Sequence, residues 1–202
     1  MKEIFLSASV PEKNRGHYYE SANPFLIQCA VRELLIAVIR DYRIVWGGHP
    51  AITPMIWTIC QDLGINYTSS VILYQSRYFE KYFPEENQHF DNVIVVDAIE
   101  NQREASLLQM RRAMLSREEL CAAVFIGGME GVKEEYGLFK ELHPEALVFP
   151  VPSPGGAALD LAIAIGTKDE SHLKDVDFVR LYHQTLVPFL ETVAISTKPI
   201  PT

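Results

Sequence analysis

The stretch Ala122–Glu135 constrains the fold more than any other. Five consecutive apolar residues, Ala122-Ala123-Val124-Phe125-Ile126, run into Gly127-Gly128-Met129-Glu130-Gly131 and then Val132-Lys133-Glu134-Glu135. A short unbroken apolar run bounded by glycine suits a strand buried on both faces of a parallel sheet. The charged residues beyond the turn begin a helical pattern that continues through Tyr136, Leu138, Phe139 and Leu142. Such a junction outlines an anion site, because the first N–H groups of a helix are unpaired and its dipole favours negative charge there. Glycines without a Cβ also let a phosphate or ribose come close to the main chain. The turn's own geometry explains the glycines equally well, so a functional reading depends on what else reaches the same sheet edge.

The rest of the chain repeats the pattern. Glu3–Ser9 reads as a first strand, opening through Ser7-Ala8-Ser9-Val10-Pro11 into a polar loop that carries Arg15 and Tyr18. Asn23 as N-cap and Pro24 as first helical residue start a long helix through Ile39. Arg43–Trp46 is a second strand that runs into Gly47-Gly48-His49-Pro50, followed by a helix over Ala51–Leu63. Strands over Ser70–Gln75 and Val93–Val96 follow, separated by a short helix over Arg77–Tyr82 and a loop. A helix over Glu104–Glu119 turns Leu107, Leu108, Met114 and Leu115 inward and brings Arg103, Arg111, Arg112 and Arg117 nearby. After the central strand come a strand over Ala146–Pro150, a third glycine pair at Gly155-Gly156 and a small-residue helix over Ala157–Ile165. An amphipathic helix over Val176–Val193 ends in residues that read as frayed. This alternation predicts one α/β domain over residues 2–195, with a Rossmann-like, open, mainly parallel sheet and helices on both faces. Ligands bind beyond the strand C-termini of such sheets. The Ser7 and Ser9 hydroxyls, Arg15 and the three glycine pairs are therefore candidates for one cleft. His49, at the rim of the second turn, reads either as a base or as a hydrogen-bonding structural residue.

Composition narrows the function classes. With 48% apolar and 22% charged residues the chain is expected to be a soluble globular protein. A formal net charge of −8 argues against non-specific nucleic-acid binding, which relies on Lys and Arg. No apolar run is long enough to span a bilayer, and Met1–Ser7 is too short for a signal peptide. Cys29, Cys60 and Cys121 are isolated from one another and read as buried thiols in a reducing cytoplasm. The histidines are scattered, so no metal site and no cofactor is expected.

With its turns located, the chain resembles the SLOG superfamily, the Rossmann-like group that includes the LOG phosphoribohydrolases and the DprA proteins. Gly127-Gly128-Met129-Glu130-Gly131-Val132-Lys133-Glu134-Glu135 resembles the LOG signature PGGxGTxxE. Ile126 stands for its proline, Val132 for its threonine, and one extra residue precedes Gly131. The resemblance assigns Arg111, or its neighbour Arg112, to the catalytic arginine position, and Glu135, or Glu134, to the final glutamate. The turns at Gly47–Ile52 and Ser7–Pro11 look closer to the sirtuin- and TIR-associating SLOG domains of bacterial conflict systems. That branch implies sensing of a nucleotide-derived ligand such as ADP-ribose or cyclic ADP-ribose, through Ser7, Ser9, Arg15, Gly47, Gly48, His49, Gly127, Gly128, Gly131, Gly155 and Gly156. A homo-oligomer, and an effector on a separate protein, are implied in the same way. The LOG branch instead implies hydrolysis of the N-glycosidic bond of a nucleoside 5′-monophosphate, with Glu135, Glu134 and Arg111 catalytic.

Overall fold

The structure, a computed structural model, describes residues 1–66 and 70–196. The expected frayed end lies outside them. Six strands form one sheet: β1 (Glu3–Ser9), β2 (Arg43–Trp46), β3 (Val71–Ser76), β4 (Val93–Val96), β5 (Leu120–Gly127) and β6 (Leu147–Val151). Their order is β4-β3-β2-β1-β5-β6, and every neighbouring pair is parallel. The helices are α1 (Pro24–Val38), α2 (Thr53–Asp62), α3 (Arg103–Leu115), α4 (Glu130–Leu142), α5 (Ala157–Ala164), α6 (Glu170–Lys174), α7 (Phe178–Leu181) and α8 (Val187–Ser196). Among the described residues no helix is long and apolar enough to cross a membrane.

The period-two alternation of a strand divides the core into two layers. Ile4, Leu6 and Ala8 of β1, with Ala122, Val124 and Ile126 of β5, pack with α1, α2 and the C-terminal helices. Phe5 of β1, with Ala123 and Phe125 of β5, packs with α3, α4 and α5. Every residue of β5 is buried, which accounts for its unbroken apolar sequence. In α1, the Asn23 side chain accepts hydrogen bonds from the N–H groups of Phe25 and Leu26, and Pro24 follows at the first turn. Its inner stripe, Ile27, Val31, Leu34, Leu35 and Val38, is buried. Truncating Leu34, which has no exposed surface, to alanine would cost about 2–5 kcal/mol.

Two expected helices differ from the structure. The one expected over Val176–Val193 is broken into α7 and α8 by a π turn over Tyr182–Leu186. Pro188 has no N–H to give to the Gln184 carbonyl, and a π turn absorbs that missing bond. Tyr182 within the turn is fully buried and donates its hydroxyl to the Ala30 carbonyl at 3.0 Å. Helix α3 stops at Leu115 rather than continuing to Glu119, and Leu108 is 43% exposed instead of inward. Met110 and Met114 face the sheet, and the position one helical turn before them is Leu107, which joins that cluster.

The strand order positions the site. From β1 the chain steps outward through β2 and β3 to β4, then returns across the sheet to place β5 on the other side of β1. The connections that leave β1 and β5 therefore pack on opposite faces, and a crevice opens at their C-terminal ends.

Candidate functional site

A cleft of about 850 Å³ opens over the ends of β1, β2 and β3, within the range of small-molecule sites. Its polar groups come from several elements. Ser7 and Ser9 come from β1, Gly47, Gly48 and His49 from the turn after β2, Arg111 from α3, and Gly131, Glu134 and Glu135 from α4. The loop between β1 and α1 adds Arg15 and Tyr18.

The β1 alternation that sends Leu6 and Ala8 toward α1 sends Ser7 toward α3 and α4. Its Oγ donates to Glu135 Oε2 at 2.5 Å. Arg111 Nε donates to Glu135 Oε1 at 3.2 Å, and Arg111 Nη1 donates to Glu134. Residues 111 and 112 point about 100° apart on α3, so only one of them can turn toward α4. Arg111 is 8% exposed and faces α4, whereas Arg112 is exposed. Gly131 lies one turn before Glu135, and a Cβ there would stand 2.6 Å from Arg111 Nη2. Glycine at this position leaves room for the guanidinium across α4. Burial pushes the Glu135 carboxyl above the ordinary carboxylate range, while Arg111 and Ser7 pull it back.

The remaining groups hold one another. Tyr18, nearly buried, donates its hydroxyl to Glu130 Oε2 at 2.5 Å, and the Lys133 ammonium lies 5.1 Å from its ring centroid. The loop is thus fastened to the first turn of α4. Burial first, then the Glu130 bond, raises the phenol's pKa. The His49 N–H donates to Thr53 Oγ1 at 3.1 Å, and its Nδ1 accepts from the Ala51 N–H at 3.2 Å. Burial lowers the imidazole's pKa, so the ring is neutral at pH 7 and its proton sits on Nε2. Arg15 is half-exposed and pairs with Glu12 at 3.8 Å.

Of the three expected glycine pairs, only Gly47-Gly48 lines the cleft. Gly127-Gly128 and Gly155-Gly156 pack against each other behind it. The Gly128 N–H donates to the Ser9 carbonyl at 2.8 Å, and its carbonyl accepts from Ala157 at 2.9 Å. The Gly156 N–H donates to Ser21 Oγ at 3.1 Å. A Cβ on Gly156 would meet the Gly127 carbonyl carbon at 2.7 Å. The β1–β5 pairing extends as far as Ser9 and Gly127, and α5 docks directly on the turn. The N–H groups of Gly128, Gly155 and Gly156 are thus given to the fold rather than to the cleft.

Phe79, Tyr82, Phe83 and Arg103 also line the cleft and were not expected there. For the three aromatics the only advance signal is the density of aromatics in Tyr78–Phe83, and for Arg103 there is none. The lining carries five glutamates (Glu12, Glu104, Glu130, Glu134, Glu135) against three arginines (Arg15, Arg103, Arg111). Each arginine is already paired with at least one of these glutamates. The acidic excess therefore sits on the α4 wall.

A sequence model of the SLOG cluster3 family matches residues 17–186. The chain belongs to the SLOG cluster3 family. The matched span contains α3, β5 and α4, and so Arg111, Gly131, Glu134 and Glu135. The superfamily resemblance read from the glycine turns and the Rossmann-like fold are both correct. No curated protein matches the chain. Among solved structures it is similar to the X-ray structure of TM1055, a structural-genomics target, with a TM-score of 0.54 and 13% identity over 95% of this chain and 99% of that one. At that identity the likeness is one of fold.

Proposed function

We propose that this SLOG protein binds a nucleotide-derived ligand in the cleft, with a ribose against Ser7, Arg111, Glu134 and Glu135. The observation that carries this reading is the convergence of those four side chains, from β1, α3 and α4, at the switch point of the sheet. Vicinal ribose hydroxyls are donors as well as acceptors, and carboxylates with free lone pairs accept from them. Phosphate is disfavoured at this end. Glu130, Glu134 and Glu135 face it, and Arg111 is shared between two of them. Phosphate groups belong farther along, toward Arg15 and the Gly47-Gly48 turn. SLOG membership supports a nucleotide-related role, and ADP-ribose, cyclic ADP-ribose and nucleoside phosphates are the ligands to try.

The purified protein, incubated with AMP, CMP, ADP-ribose, NAD and cyclic ADP-ribose and then ultrafiltered, should retain at least one intact nucleotide. That nucleotide should be released by the substitution Arg111→Met. Retention of none of the five would sink the reading.

The placement of Glu135 between Ser7 and Arg111 favours a second reading: hydrolysis of an N-glycosidic bond. A carboxylate at this place would face the positive charge that develops on the anomeric carbon. Free base with ribose 5-phosphate in the filtrate, abolished by Glu135→Gln with binding kept, would establish it. Binding ranks first because Glu135 is held by two partners, Ser7 and Arg111.

A further inference from the structure

The segment after β3 carries aromatic residues that the core does not explain. Arg77–Tyr82 forms a 3₁₀ helix containing Tyr78, Phe79 and Tyr82, and none of its residues is buried. Tyr82 is 76% exposed. Clustered apolar surface left open to water marks an interaction site more often than scattered single residues do. Here it is not on an outer face: Phe79, Tyr82 and Phe83 form the end wall of the cleft.

The wall is braced. Ser76 caps the segment by accepting from the Tyr78 N–H, and Arg77 binds Asp97 at 3.0 Å and Glu80 at 3.1 Å. The Tyr78 and Phe79 rings meet edge to face with centroids 5.0 Å apart. The Arg103 guanidinium lies 5.7 Å from the Phe79 centroid, so a cation and aryl faces border the same space. Planar nucleobases stack on such surfaces.

Position decides what the ligand must be. Ser7 is near the end of β1 and the aromatic segment begins at the end of β3, two strands away. Two interstrand spacings are about 10 Å. A base joined directly to a ribose at Glu135 has no spacer with which to cross the β2 turn. A base carried on a linker of pyrophosphate length does. The cleft's 850 Å³, near the upper end for small-molecule sites, has room for both halves. The charges are arranged in agreement: three carboxylates, Glu130, Glu134 and Glu135, stand with Arg111 at the ribose end, while Arg15 and Arg103, each beside one glutamate, stand along the path and at the wall.

We infer that Phe79, Tyr82 and Arg103 form a second subsite that stacks a planar base, and that the ligand is a two-part nucleotide whose base and distal ribosyl group are joined through a pyrophosphate-length linker. This inference rests on the ribose assignment above. The test measures dissociation constants of AMP, ADP-ribose and NAD by calorimetry on the wild-type chain and on Tyr82→Ala and Phe79→Ala. The two-part probes should bind more tightly than AMP. Each alanine variant should weaken them by about 5- to 150-fold and leave AMP within twofold. Tyr82 is largely exposed, so its variant should fold as the wild type does. A second variant, Tyr82→Trp, should show indole emission quenched by ADP-ribose and not by AMP. Equal binding of AMP and the two-part probes, unmoved by either alanine variant, would overturn the subsite while leaving nucleotide binding in place. Failure of all three probes to bind the folded wild-type chain would overturn it together with the ribose assignment.

Discussion

Replacing Arg111 with methionine tests the electrostatics of the site most directly. The substitution keeps an apolar stem but removes the guanidinium that donates to Glu135 at 3.2 Å. The Arg111 and Glu135 side chains retain 10% and 17% of their exposure. Breaking a fully buried pair costs about 3–5 kcal/mol, and an exposed pair is worth about 1 kcal/mol or less. At these exposures the expected loss of stability at pH 8 is about 2–3 kcal/mol. The bond from Arg111 to Glu134 adds little, because 49% of the Glu134 side chain faces solvent.

The loss should depend on pH in a defined direction. Burial already holds the Glu135 carboxyl above its ordinary value of 4.5, against the pull of Arg111 and Ser7. A carboxyl whose folded pKa is raised contributes stability that is fully present below the unfolded pKa and lost as the pH rises through the folded one. Without Arg111 the folded pKa climbs further, and each added unit costs about 1.4 kcal/mol once the pH exceeds it. The variant should therefore approach wild-type stability at pH 4.5 and fall progressively below it toward pH 8. Urea unfolding followed by circular dichroism at several pH values measures this, provided the denaturant slope is unchanged. The double variant Arg111→Met with Glu135→Gln removes the buried charge and should recover most of the loss and its pH dependence. A pH-independent deficit, or a double variant no more stable than the single one, would refute the reasoning.

Three further outcomes follow from the same structure. Gly128 has φ +77°, and a Cβ there would lie 2.2 Å from Val132 Cγ2. Gly128→Ala should lower the melting temperature by about 4–8 °C while leaving nucleotide retention intact in the folded protein, because this turn does not line the cleft. Glu3, with no exposed surface, accepts from Arg117 Nε at 2.6 Å and Nη2 at 2.7 Å at the opposite end of the strands. Glu3→Gln should cost about 3 kcal/mol in chemical denaturation without changing nucleotide affinity. Burial pushes the Cys60 thiol up to about 12 and the Cys121 thiol up to about 11. Iodoacetamide at pH 8 should therefore give mainly a single adduct, at Cys29, by mass spectrometry of the native protein.

The fold was legible because its signals were periodic. β2 and β4 fall where their apolar runs lie, and α1 starts at the expected Asn23-Pro24 cap. The break in the C-terminal helix was written in Pro188, which an amphipathic pattern alone does not weigh. The site was legible where side-chain direction is set by helix geometry, as with Arg111 on α3 and the adjacent Glu134 and Glu135 on α4. It was less legible at the glycines. A glycine pair between strand and helix can leave its N–H groups open to a ligand or give them to neighbouring backbone, and the sequence is the same in both cases. What decides is β1, whose Ser9 carbonyl takes the Gly128 N–H, while the Ala157 N–H of α5 binds the Gly128 carbonyl from 29 residues downstream.

That displacement changes what the altered signature means. With the glycine turn packed under α5 and the α4 wall carrying three carboxylates, the proposed assignment puts the ribose, not the phosphate, at the LOG-like motif. On the proposed reading, polar recognition falls to Ser7, Arg111, Glu134 and Glu135, which suit hydroxyls. The anion-tolerant part of the cleft moves toward Arg15, the β2 turn and Arg103. The inserted residue before Gly131 accompanies a turn used for packing, while Gly131 still leaves space for the Arg111 guanidinium beside Glu135. A chain that keeps the arginine–glutamate pair but gives its glycine donors to the fold is better arranged to hold a ribosyl group than to grip a mononucleotide by its phosphate. Gly131→Ala tests this separation. Its Cβ would stand 2.6 Å from Arg111 Nη2, yet alanine favours the helix by about 1 kcal/mol. The helix gain partly offsets the displaced Arg111 bond, so the variant should lose less stability in thermal unfolding than Arg111→Met and bind its nucleotide more weakly. Unchanged affinity would show that the position of Arg111 is not what the ligand reads.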